Sequence, residues 1–328
     1  MVWACWLHAA LVATIGLLNT LGPERWWGTG INMFLPQLIW AAPSVLLLPL
    51  TVIRARRWVW LPLVTVICIL GPLMGFRWNA AISPPPGVRM RVMTYNIQLW
   101  QRMNLPSIID EIRAAAPDVL CLQDARGGSP TELDEFLKAW HTTSFGQYVI
   151  ASKFPIADAI VGDISYDDQT HTYLRARVRV GDVRVLVASA HFATPRDALA
   201  PLRSPEFWAV GVPLIRKNLT QRLKQAAALA EDVRDVEEPV IVAGDLNAPP
   251  SSLASRTLTD LGLIDVFAAA GRGYGYTFGH TLLWHKSFLR LDRILVSRHF
   301  TPISSRVGSA AGSDHRPVIA DLVLTSKN

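Results

Sequence analysis

The sequence predicts a mixed α/β domain of the sandwich type, preceded by a region of three transmembrane helices. Residues 1–83 of the 328-residue chain carry only one Glu and five Arg as charged side chains, and nearly all other charges lie beyond Pro84. In that second part, helix-like segments separate some strand-like segments and tight turns join others, which is typical of α/β and α+β folds. We therefore expect a transmembrane region over residues 1–83, a linker over 84–87 and one domain over 88–328.

The first region contains three apolar stretches, at residues 2–21, 31–53 and 58–76. Each has about the 20 residues that a helix needs to cross the hydrocarbon of a bilayer. Tryptophans favour the interface between lipid and water, and five lie near the ends of these stretches: Trp26, Trp27, Trp58, Trp60 and Trp78. The first stretch could instead be a cleaved signal peptide, but it lacks a basic leading segment and two further apolar stretches follow it.

Positive charge is concentrated between the second and third stretches, at Arg54, Arg56 and Arg57. Loops rich in Arg and Lys are retained in the cytoplasm. With three spans, the N-terminus then lies inside and everything after Trp78 lies outside. We expect a multi-pass protein of the cell membrane with an extracytoplasmic domain. The lipid bilayer is the predicted partner of the helices, and the sequence identifies no protein partner.

Pro84, Pro85 and Pro86, followed by Gly87, exclude a continuing helix and favour a stiff, extended spacer. Beyond it, the apolar patterns predict strands at residues 91–97, 119–123, 148–151, 173–180, 183–190, 240–243, 290–296 and 317–324. Helical periodicity predicts helices at residues 107–115, at 131–140, within 213–233 and shortly after residue 250. The clearest hairpin turn is at Gly181 and Asp182.

The charge of the predicted soluble domain argues only weakly for nucleic acid. The formal net charge is +6 at pH 7, and residues 1–83 supply +4 of it, so that only +2 belongs to the rest of the chain. A protein that holds a polyanion concentrates Lys and Arg in the domain that binds it.

Polar residues follow several predicted strands at the point where each strand ends. These segments are Thr94-Tyr95-Asn96, Leu122-Gln123-Asp124, Ser189-Ala190-His191, Gly244-Asp245-Leu246-Asn247, Leu291-Asp292 and Gly312-Ser313-Asp314-His315. Any one of them would suit an ordinary turn, because Asn and Asp favour turns. Their repetition within one domain indicates a functional site.

Seven short motifs run in order through residues 88–324. They are Tyr95-Asn96, Leu122-Gln123-Asp124, Ser152-Lys153-Phe154-Pro155-Ile156, Ala190-His191-Phe192, Gly244-Asp245-Leu246-Asn247, Arg290-Leu291-Asp292 and Ser313-Asp314-His315-Arg316-Pro317. Together they resemble the motifs of the endonuclease/exonuclease/phosphatase superfamily. That superfamily includes pancreatic deoxyribonuclease, abasic-site endonucleases, inositol-polyphosphate phosphatases and neutral sphingomyelinases.

The resemblance implies two mixed sheets that face each other, with helices outside and the strand ends meeting at one edge. It also implies hydrolysis of a phosphate ester by water with Mg²⁺, or Mn²⁺ in its place, held mainly through carboxylates. Hard oxygen ligands suit Mg²⁺. A phosphodiester repels a nucleophile, so that its oxygens must be neutralised in the transition state. The fold does not determine which phosphate ester is cleaved.

The same resemblance implies the roles of individual residues. Asp124 occupies the position of the metal-binding carboxylate, with Asn96 beside it and Asp314 sharing the ion. Asp245 matches the residue that orients or deprotonates the attacking water, and Asn247 matches a neighbour that contacts the phosphate.

Two histidines complete the implied site. His315 would contact a phosphoryl oxygen, with Asp292 selecting its tautomer and favouring the imidazolium. His191 matches a second histidine of the nuclease and sphingomyelinase branches, where it contacts the phosphate or assists the leaving group.

Asp124 departs from the pattern, because members of the superfamily usually have Glu there. The missing methylene withdraws the carboxylate by about 1.5 Å, roughly one carbon–carbon bond. The metal would then shift toward Asp124, bind through a water or bind weakly.

A long segment at residues 193–218 follows His191 and should border the site. It places Phe207 and Trp208 between Arg203 and Arg216. Long loops without a fold of their own are often functional, and an apolar tip flanked by cations suits a membrane surface or a lipid. Packing against the sheet edge explains the same residues equally well.

These observations predict a membrane-anchored, divalent-metal-dependent phosphoesterase that hydrolyses phosphodiester or phosphomonoester bonds. Lipid headgroups are favoured over nucleic acid as the substrate. Two alternatives stay open: an anchored nuclease that acts on DNA, and a membrane-bound binding module that keeps the fold without the activity.

Overall fold

The computed structural model describes residues 1–98, 104–125, 132–167, 169–203, 207–282 and 285–325. Four α-helices precede the linker: α1 Val2–Leu21, α2 Trp27–Asn32, α3 Ala42–Arg54 and α4 Trp60–Cys68. Turns of 3-10 and π-helix extend α3 and α4 into longer helical stretches, Gln37–Arg54 and Arg56–Leu73. Together with α1, these stretches are long and apolar enough to cross a membrane.

The second candidate span begins at Gln37, six residues after the predicted start at Ile31. The residues before it form the separate helix α2 and a turn, in which Ile31, Met33 and Phe34 are buried against the soluble domain. Their apolar character therefore reflects burial in protein. Composition alone does not distinguish that environment from lipid.

The soluble domain alternates strands and helices as the sequence predicted, with added elements at its margins. Its helices are α5 Leu105–Ala115, α6 Glu132–Leu137, α7 Arg196–Leu199, α8 Val212–Arg234, α9 Leu253–Thr259 and α10 Val266–Ala270. Strand β1, Arg77–Trp78, precedes the linker. The other strands are β2 Val88–Asn96, β3 Val119–Gln123, β4 His141–Phe145, β5 Tyr148–Ser152, β6 Ile156–Asp163, β7 Thr172–Val180, β8 Val183–His191, β9 Val240–Asp245, β10 Ile264–Asp265, β11 Arg272–Gly273, β12 Asp292–Val296, β13 Phe300–Val307 and β14 Val318–Leu324.

Two six-stranded mixed sheets form the sandwich. One has the order β10-β12-β9-β8-β7-β6 and the other β13-β14-β2-β3-β5-β4. Most neighbouring strands are antiparallel, whereas β8 pairs with β9, and β2 with β3, in parallel. The two-sheet architecture confirms the predicted fold class.

The strand period of two residues divides each sheet into an inner and an outer face. The inner faces meet in an apolar core that includes Val92, Cys121, Val187, Ala243 and Ile294. On the outer faces, α8 and α9 cover the first sheet, and α5 and α6 cover the second. The outer face of each sheet is therefore covered by helices, which leaves the edges of the sandwich for a functional site.

The N-terminal helices dock on the second domain through reciprocal caps. Glu24 accepts hydrogen bonds from Ser252 Oγ and from the Leu253 amide (2.9 Å) at the N-terminus of α9. From the same helix, Arg256 donates to the carbonyl oxygens of Asn19 (2.9 Å) and Thr20 (2.6 Å) at the C-terminus of α1. An acid at a helix N-terminus and a cation at a C-terminus both interact favourably with the helix dipole.

The segment that leaves the third candidate span is attached to the soluble domain as well. Strand β1 pairs with β11 in antiparallel register. The Asn79 side-chain amide donates to the carbonyl oxygens of Ala268 (3.1 Å) and Gly271 (2.8 Å). The second domain is thus held against the N-terminal helices by direct contacts and not by the proline-rich linker alone.

Candidate active site

The inner faces of the sandwich change from apolar to polar at one edge. On β2 the inner residues run Met90, Val92, Thr94 and Asn96, and on β9 they run from Ala243 to Asp245. In the strand register, Asp292 lies opposite Asp245, and Asp245 lies opposite His191. The period of two thus places these strand-end side chains in one row across the first sheet.

Gly244 makes this row possible. Its φ of 152° lies in a region that favours glycine, and a Cβ atom there would come within 1.9 Å of the Ala190 carbonyl oxygen. Strand β9 can therefore approach β8 closely only with glycine before Asp245. This requirement explains the first residue of the Gly-Asp-Leu-Asn motif.

Asp245 is the centre of the site and is only 1% exposed. Its Oδ1 accepts from the Asn247 amide (3.0 Å), and its Oδ2 accepts from Asn96 Nδ2 (3.1 Å) and Asn247 Nδ2 (3.3 Å). The Nε2 atoms of His191 and His315 lie 3.5 and 3.6 Å from the same Oδ2. Two amides therefore orient the carboxylate while both histidines face it.

His315 and Asp292 form a buried pair, with Nδ1 and Oδ2 2.8 Å apart. Burial alone would lower the pKa of His315, but the carboxylates of Asp292 and Asp245 outweigh it and raise that pKa to about 10. The ring of Phe278 packs against the imidazole at 4.8 Å between ring centres. The imidazole is thus held in one orientation with Nε2 turned toward Asp245.

His191 lies between two carboxylates and an amide. Its Nδ1 is 2.8 Å from Gln147 Oε1 and 3.6 Å from Asp124 Oδ1, while its Nε2 faces Asp245. Nδ1 next to the Gln147 oxygen carries the proton in the neutral tautomer, because an amide oxygen only accepts. In that tautomer Nε2 carries no proton and can accept one.

Asp314 lies at the rim of the site, where its Oδ2 accepts from Gln98 Nε2 (2.7 Å). Arg196 of α7 approaches the same oxygen at 3.8 Å. Burial raises the pKa of the Asp314 carboxyl, and burial also raises that of Asp292. The site therefore contains several carboxyl groups whose negative charge is not fully neutralised by neighbouring groups of the protein.

The donor set fits a divalent cation. Among the described residues, Asp292 Oδ1 and Asp314 Oδ1 are buried and have no hydrogen-bond partner. Buried carboxylate oxygens are normally paired, and a metal ion is one way to satisfy them. Hard oxygen donors of this kind suit Mg²⁺ or Mn²⁺.

The most compact group of potential ligands differs from the predicted one. Ligand atoms of Asp245, Asp292 and His315 lie within 4.8 Å of one another. Two of these residues already bond to each other, which indicates a proton-sharing triad more than a metal cage. Asp124, with the left-handed φ of 50°, is not part of this group, and its Oδ1 lies 3.6 Å from His191 Nδ1.

All eight predicted site residues come together at this edge. Sequence reasoning missed three neighbours, Gln98, Gln147 and Arg196, which contact Asp314 or His191. Gln98 lies two residues after Asn96 and could have been found from that spacing. Lys153, in the third motif, pairs with Asp118 at 3.1 Å, before the start of β3 and away from Asp124.

Comparison with known proteins agrees with this geometry. The model of the "Endonuclease/Exonuclease/phosphatase family" matches residues 93–315. The chain belongs to the endonuclease/exonuclease/phosphatase family. Members of this family are phosphoesterase hydrolases that use divalent metals.

Several proteins are similar to this member of the endonuclease/exonuclease/phosphatase family. The uncharacterised protein YbhP of Escherichia coli K12 is 25% identical over 255 residues, covering 71% of this chain and 96% of its own length. A family protein of Bacteroides thetaiotaomicron has a TM-score of 0.58 at 16% identity, covering 74% of this chain and 98% of its own. Truncated TDP2 of Caenorhabditis elegans has a TM-score of 0.53 at 19% identity, covering 72% and 97%. Both structural comparisons show the shared fold.

Proposed function

We propose that the protein is a membrane-anchored, divalent-metal-dependent phosphoesterase. Its substrates are phosphate esters of lipids at the extracytoplasmic face of the cell membrane. Family membership supports the hydrolysis of a phosphate ester. The lipid preference rests on one observation, the link between the site and the membrane helices through residues 193–218.

The buried side chains suit in-line attack by water. Asp245, oriented by Asn96 and Asn247, takes the proton of the attacking water as the new oxygen–phosphorus bond forms. The imidazolium of His315 donates a hydrogen bond to a phosphoryl oxygen and stabilises its developing charge. His191, in its protonated form, gives its proton to the leaving oxygen as the ester bond breaks.

We assign the metal to Asp124, Asn96 and Asp314. The unpartnered Asp314 Oδ1 supports this assignment. When bound, a divalent cation neutralises phosphate oxygens and polarises the phosphorus. Because Asp292 and Asp245 lie directly opposite each other, added positive charge would also relieve their repulsion.

One segment connects the site with the membrane region. Arg196, near its start, approaches Asp314, and Trp208, further along, packs edge-on against Trp27 at 5.4 Å between ring centres. Trp27 follows the first candidate span by six residues, a position typical of interfacial anchors. Trp208 remains 71% exposed. Phe207, also predicted to contact lipid, has a side chain that lies outside the described part of the chain.

A nuclease is the second candidate, because its phosphodiester chemistry would use the same side chains. The modest charge of the soluble domain disfavours it, since nucleic-acid binding depends on many cationic contacts. An inactive binding module is disfavoured by the complete set of Asp245, Asn247, Asp292 and His315 around one point.

A substrate panel tests the function directly. The full chain, reconstituted in vesicles, would be given phosphatidylglycerol, soluble bis-p-nitrophenyl phosphate and linear DNA, each with Mg²⁺ or with EDTA. We expect hydrolysis of the lipid and of the soluble ester with Mg²⁺ only. Salt-sensitive cleavage of DNA without action on vesicles would establish the nuclease instead, and no hydrolysis of any substrate would support the binding module.

The role of Trp208 has a matched control. Trp208→Ala should lower the turnover of vesicle lipid more than that of the soluble ester, because only the lipid requires contact with the interface. Trp3→Ala, at an 81% exposed position at the start of α1, should change neither rate. Equal loss on both substrates in Trp208→Ala would mean that the segment supports the site structurally.

Orientation is tested separately. The segment Arg54–Arg57 lies between α3 and α4, at the other end of the helices from the docked soluble domain. Alkaline phosphatase fused after Asn328 should therefore be active outside the cytoplasm. A fluorescent protein that matures only in the cytoplasm should remain dark at the same position, and the reverse pattern would place the catalytic domain inside.

A further inference from the structure

Two adjoining cavities lie where the membrane helices meet the soluble domain. The larger has a volume of about 670 Å³ and runs between α1 and α4, and the smaller has about 250 Å³. They share the lining residues Asn19, Pro72, Leu73, Pro250 and Ser251. Volumes of 300–1,000 Å³ are typical of sites for small molecules. Neither cavity is lined by Asp245, Asp292 or His315, so that both are separate from the catalytic side chains.

The larger cavity is apolar because of the residues that the two helices present to it. On α1 it is lined by Ala9, Ala13 and Gly16 at helical spacing, and on α4 by Leu61 and Val64. The small side chains leave the space open, and a Cβ atom at Gly16 would meet nothing within 4 Å. Both helices are candidate spans. A gap of this kind between spans is therefore surrounded by hydrocarbon and suits an acyl chain.

The end of the larger cavity next to the soluble domain is polar and cationic. Arg256 lines it and donates its NH groups to backbone carbonyls, while its buried Nε has no partner. Asn19 Oδ1 is likewise buried without a partner. Among the residues that the structure describes, no carboxylate lies within 4.0 Å of the Arg256 guanidinium. This end suits an anionic group that also offers a hydrogen-bond donor.

We propose that the junction binds one phospholipid from the leaflet next to the catalytic domain. One acyl chain lies between α1 and α4, and the phosphate lies at Arg256, with Asn19 accepting a hydrogen bond from the headgroup. Guanidinium groups form strong, charge-assisted hydrogen bonds with phosphate. Pro250 and Ser251 follow the catalytic Asn247 by three and four residues, so that the bound lipid adjoins the loop that leaves the site. This proposal does not depend on the substrate proposed above.

Native mass spectrometry of the full-length protein in mild detergent tests the site. Dioleoyl phosphatidylglycerol and dioleoylglycerol, which lacks the phosphate, would be added in parallel. We expect one retained phosphatidylglycerol per chain and at least about tenfold less dioleoylglycerol, since the loss of one charge-assisted interaction corresponds to roughly this factor. Equal retention of both lipids would overturn the placement of the phosphate, and retention of neither would overturn the site.

Two variants locate the lipid within the cavity. Gly16→Leu puts a side chain into open space, so that the helix pair keeps its packing while the acyl chain is displaced. Retention should fall at least about tenfold, as expected when two methylene groups lose their burial. Val45→Leu, at a 73% exposed position on α3, is the matched control and should retain the lipid. Equal retention by Gly16→Leu and Val45→Leu would refute the site.

Arg256→Gln tests the phosphate contact, with Arg56→Gln in the loop before α4 as its control. Arg256 also caps α1, so the thermal unfolding midpoint of each variant would be measured first. With unfolding unchanged, Arg256→Gln should lose phosphatidylglycerol and keep the weak binding of dioleoylglycerol. Unchanged retention of phosphatidylglycerol would place the phosphate elsewhere. If the variant unfolds, the Gly16→Leu result decides the proposal.

Discussion

Asp292 and Arg293 are neighbours in β12, yet their side chains join two different buried charge clusters. Arg293 belongs to an anchor cluster with Arg290 and Asp265, in which both oxygens of Asp265 are bonded to guanidinium groups or to the Ala268 amide. Asp292 belongs with His315 and Asp245 to the cluster that we propose to be catalytic, the catalytic cluster, in which one Asp292 oxygen has no partner. Successive side chains of a strand point to opposite faces, which separates the clusters.

The two clusters differ in how completely the charge of their carboxylates is compensated. Burial alone would raise the pKa of Asp265, but Arg293 and Arg290 outweigh it and hold that pKa well below its usual range. Burial prevails at Asp292, whose pKa is raised although His315 opposes the change. A cluster whose carboxylate oxygens are all bonded holds the fold together. An unsaturated one keeps donor capacity for a metal or substrate at a cost in stability.

The largest expected effect comes from breaking the anchor cluster. Asp265→Asn leaves two buried guanidinium groups without a carboxylate and should destabilise the protein by about 3–5 kcal/mol. Thermal or denaturant unfolding of the full chain in detergent measures the loss. Asp321→Asn, which breaks the half-exposed pair with Arg91, is the control and should cost less than about 1 kcal/mol. Similar losses in both variants would contradict the structural role of the anchor cluster.

A substitution in the catalytic cluster should lower activity and leave stability nearly unchanged. Asp245→Asn removes the group that takes the proton from water and should lower turnover at least about 10²-fold, the usual order for a positioned base. The unfolding midpoint should stay within a few degrees of the parent. Asp260→Asn, at an exposed position at the end of α9, should change neither property. Turnover close to that of the parent in Asp245→Asn would refute the assignment.

A smaller effect should separate Asp124 from the catalytic cluster. Asp124→Ala should raise the Mg²⁺ concentration needed for half-maximal activity about tenfold, as is common when a group that supports a metal is lost. Asp124→Glu restores the length usual in the family and should keep activity, with Mg²⁺ dependence unchanged or tighter. Identical Mg²⁺ titrations of the parent and of Asp124→Ala would mean that Asp124 does not bind the ion.

The smallest expected effect concerns the pH dependence of stability. When no metal is bound, the two clusters should differ in how their contribution to stability changes with pH. The pKa of His315 is raised to about 10 in the folded state from an unfolded value of about 6.5. Its contribution to stability is therefore complete below about pH 6.5 and is lost as the pH rises through about 10. Asp265 has a depressed pKa, so that its contribution is present above about pH 3.9 and is lost only as the pH falls below that value.

Unfolding temperatures measured in EDTA from pH 7 to pH 10 test this difference. The unfolding midpoint of the parent should fall over this range, because the folded state holds a proton on His315 that the unfolded state has already released. His315→Gln should lose that dependence, whereas His285→Gln, at an exposed loop position, should keep it. An unchanged alkaline decline in His315→Gln would assign the effect to another group.

Much of the fold was predictable because its central strands are buried on at least one face. Strands β3 and β8 were predicted to within one residue at each end from their runs of Val, Leu and Ala, and β7 equally well from the alternation of apolar residues with Arg175, Arg177 and Arg179. Among the described residues, the missed strands are the short pair β1 and β11 and the four edge strands of the two six-stranded sheets, β4, β6, β10 and β13. Strands β4 and β6 expose most of their side chains, and β13 contains a bulge, so their sequences lack a clear apolar alternation.

The sequence by itself determined the class of domain, the three apolar helices and the residues of the site, because period, hydropathy and motif order are local properties of the chain. Tertiary structure decided which carboxylates have their negative charge neutralised by a neighbouring cation. Asp265 was not singled out in the sequence, and its saturation by Arg290 and Arg293 depends on the pairing of β10 with β12. The docking of Glu24 on α9 joins residues more than 200 positions apart. Such contacts arise from packing between distant segments, and no local pattern records them.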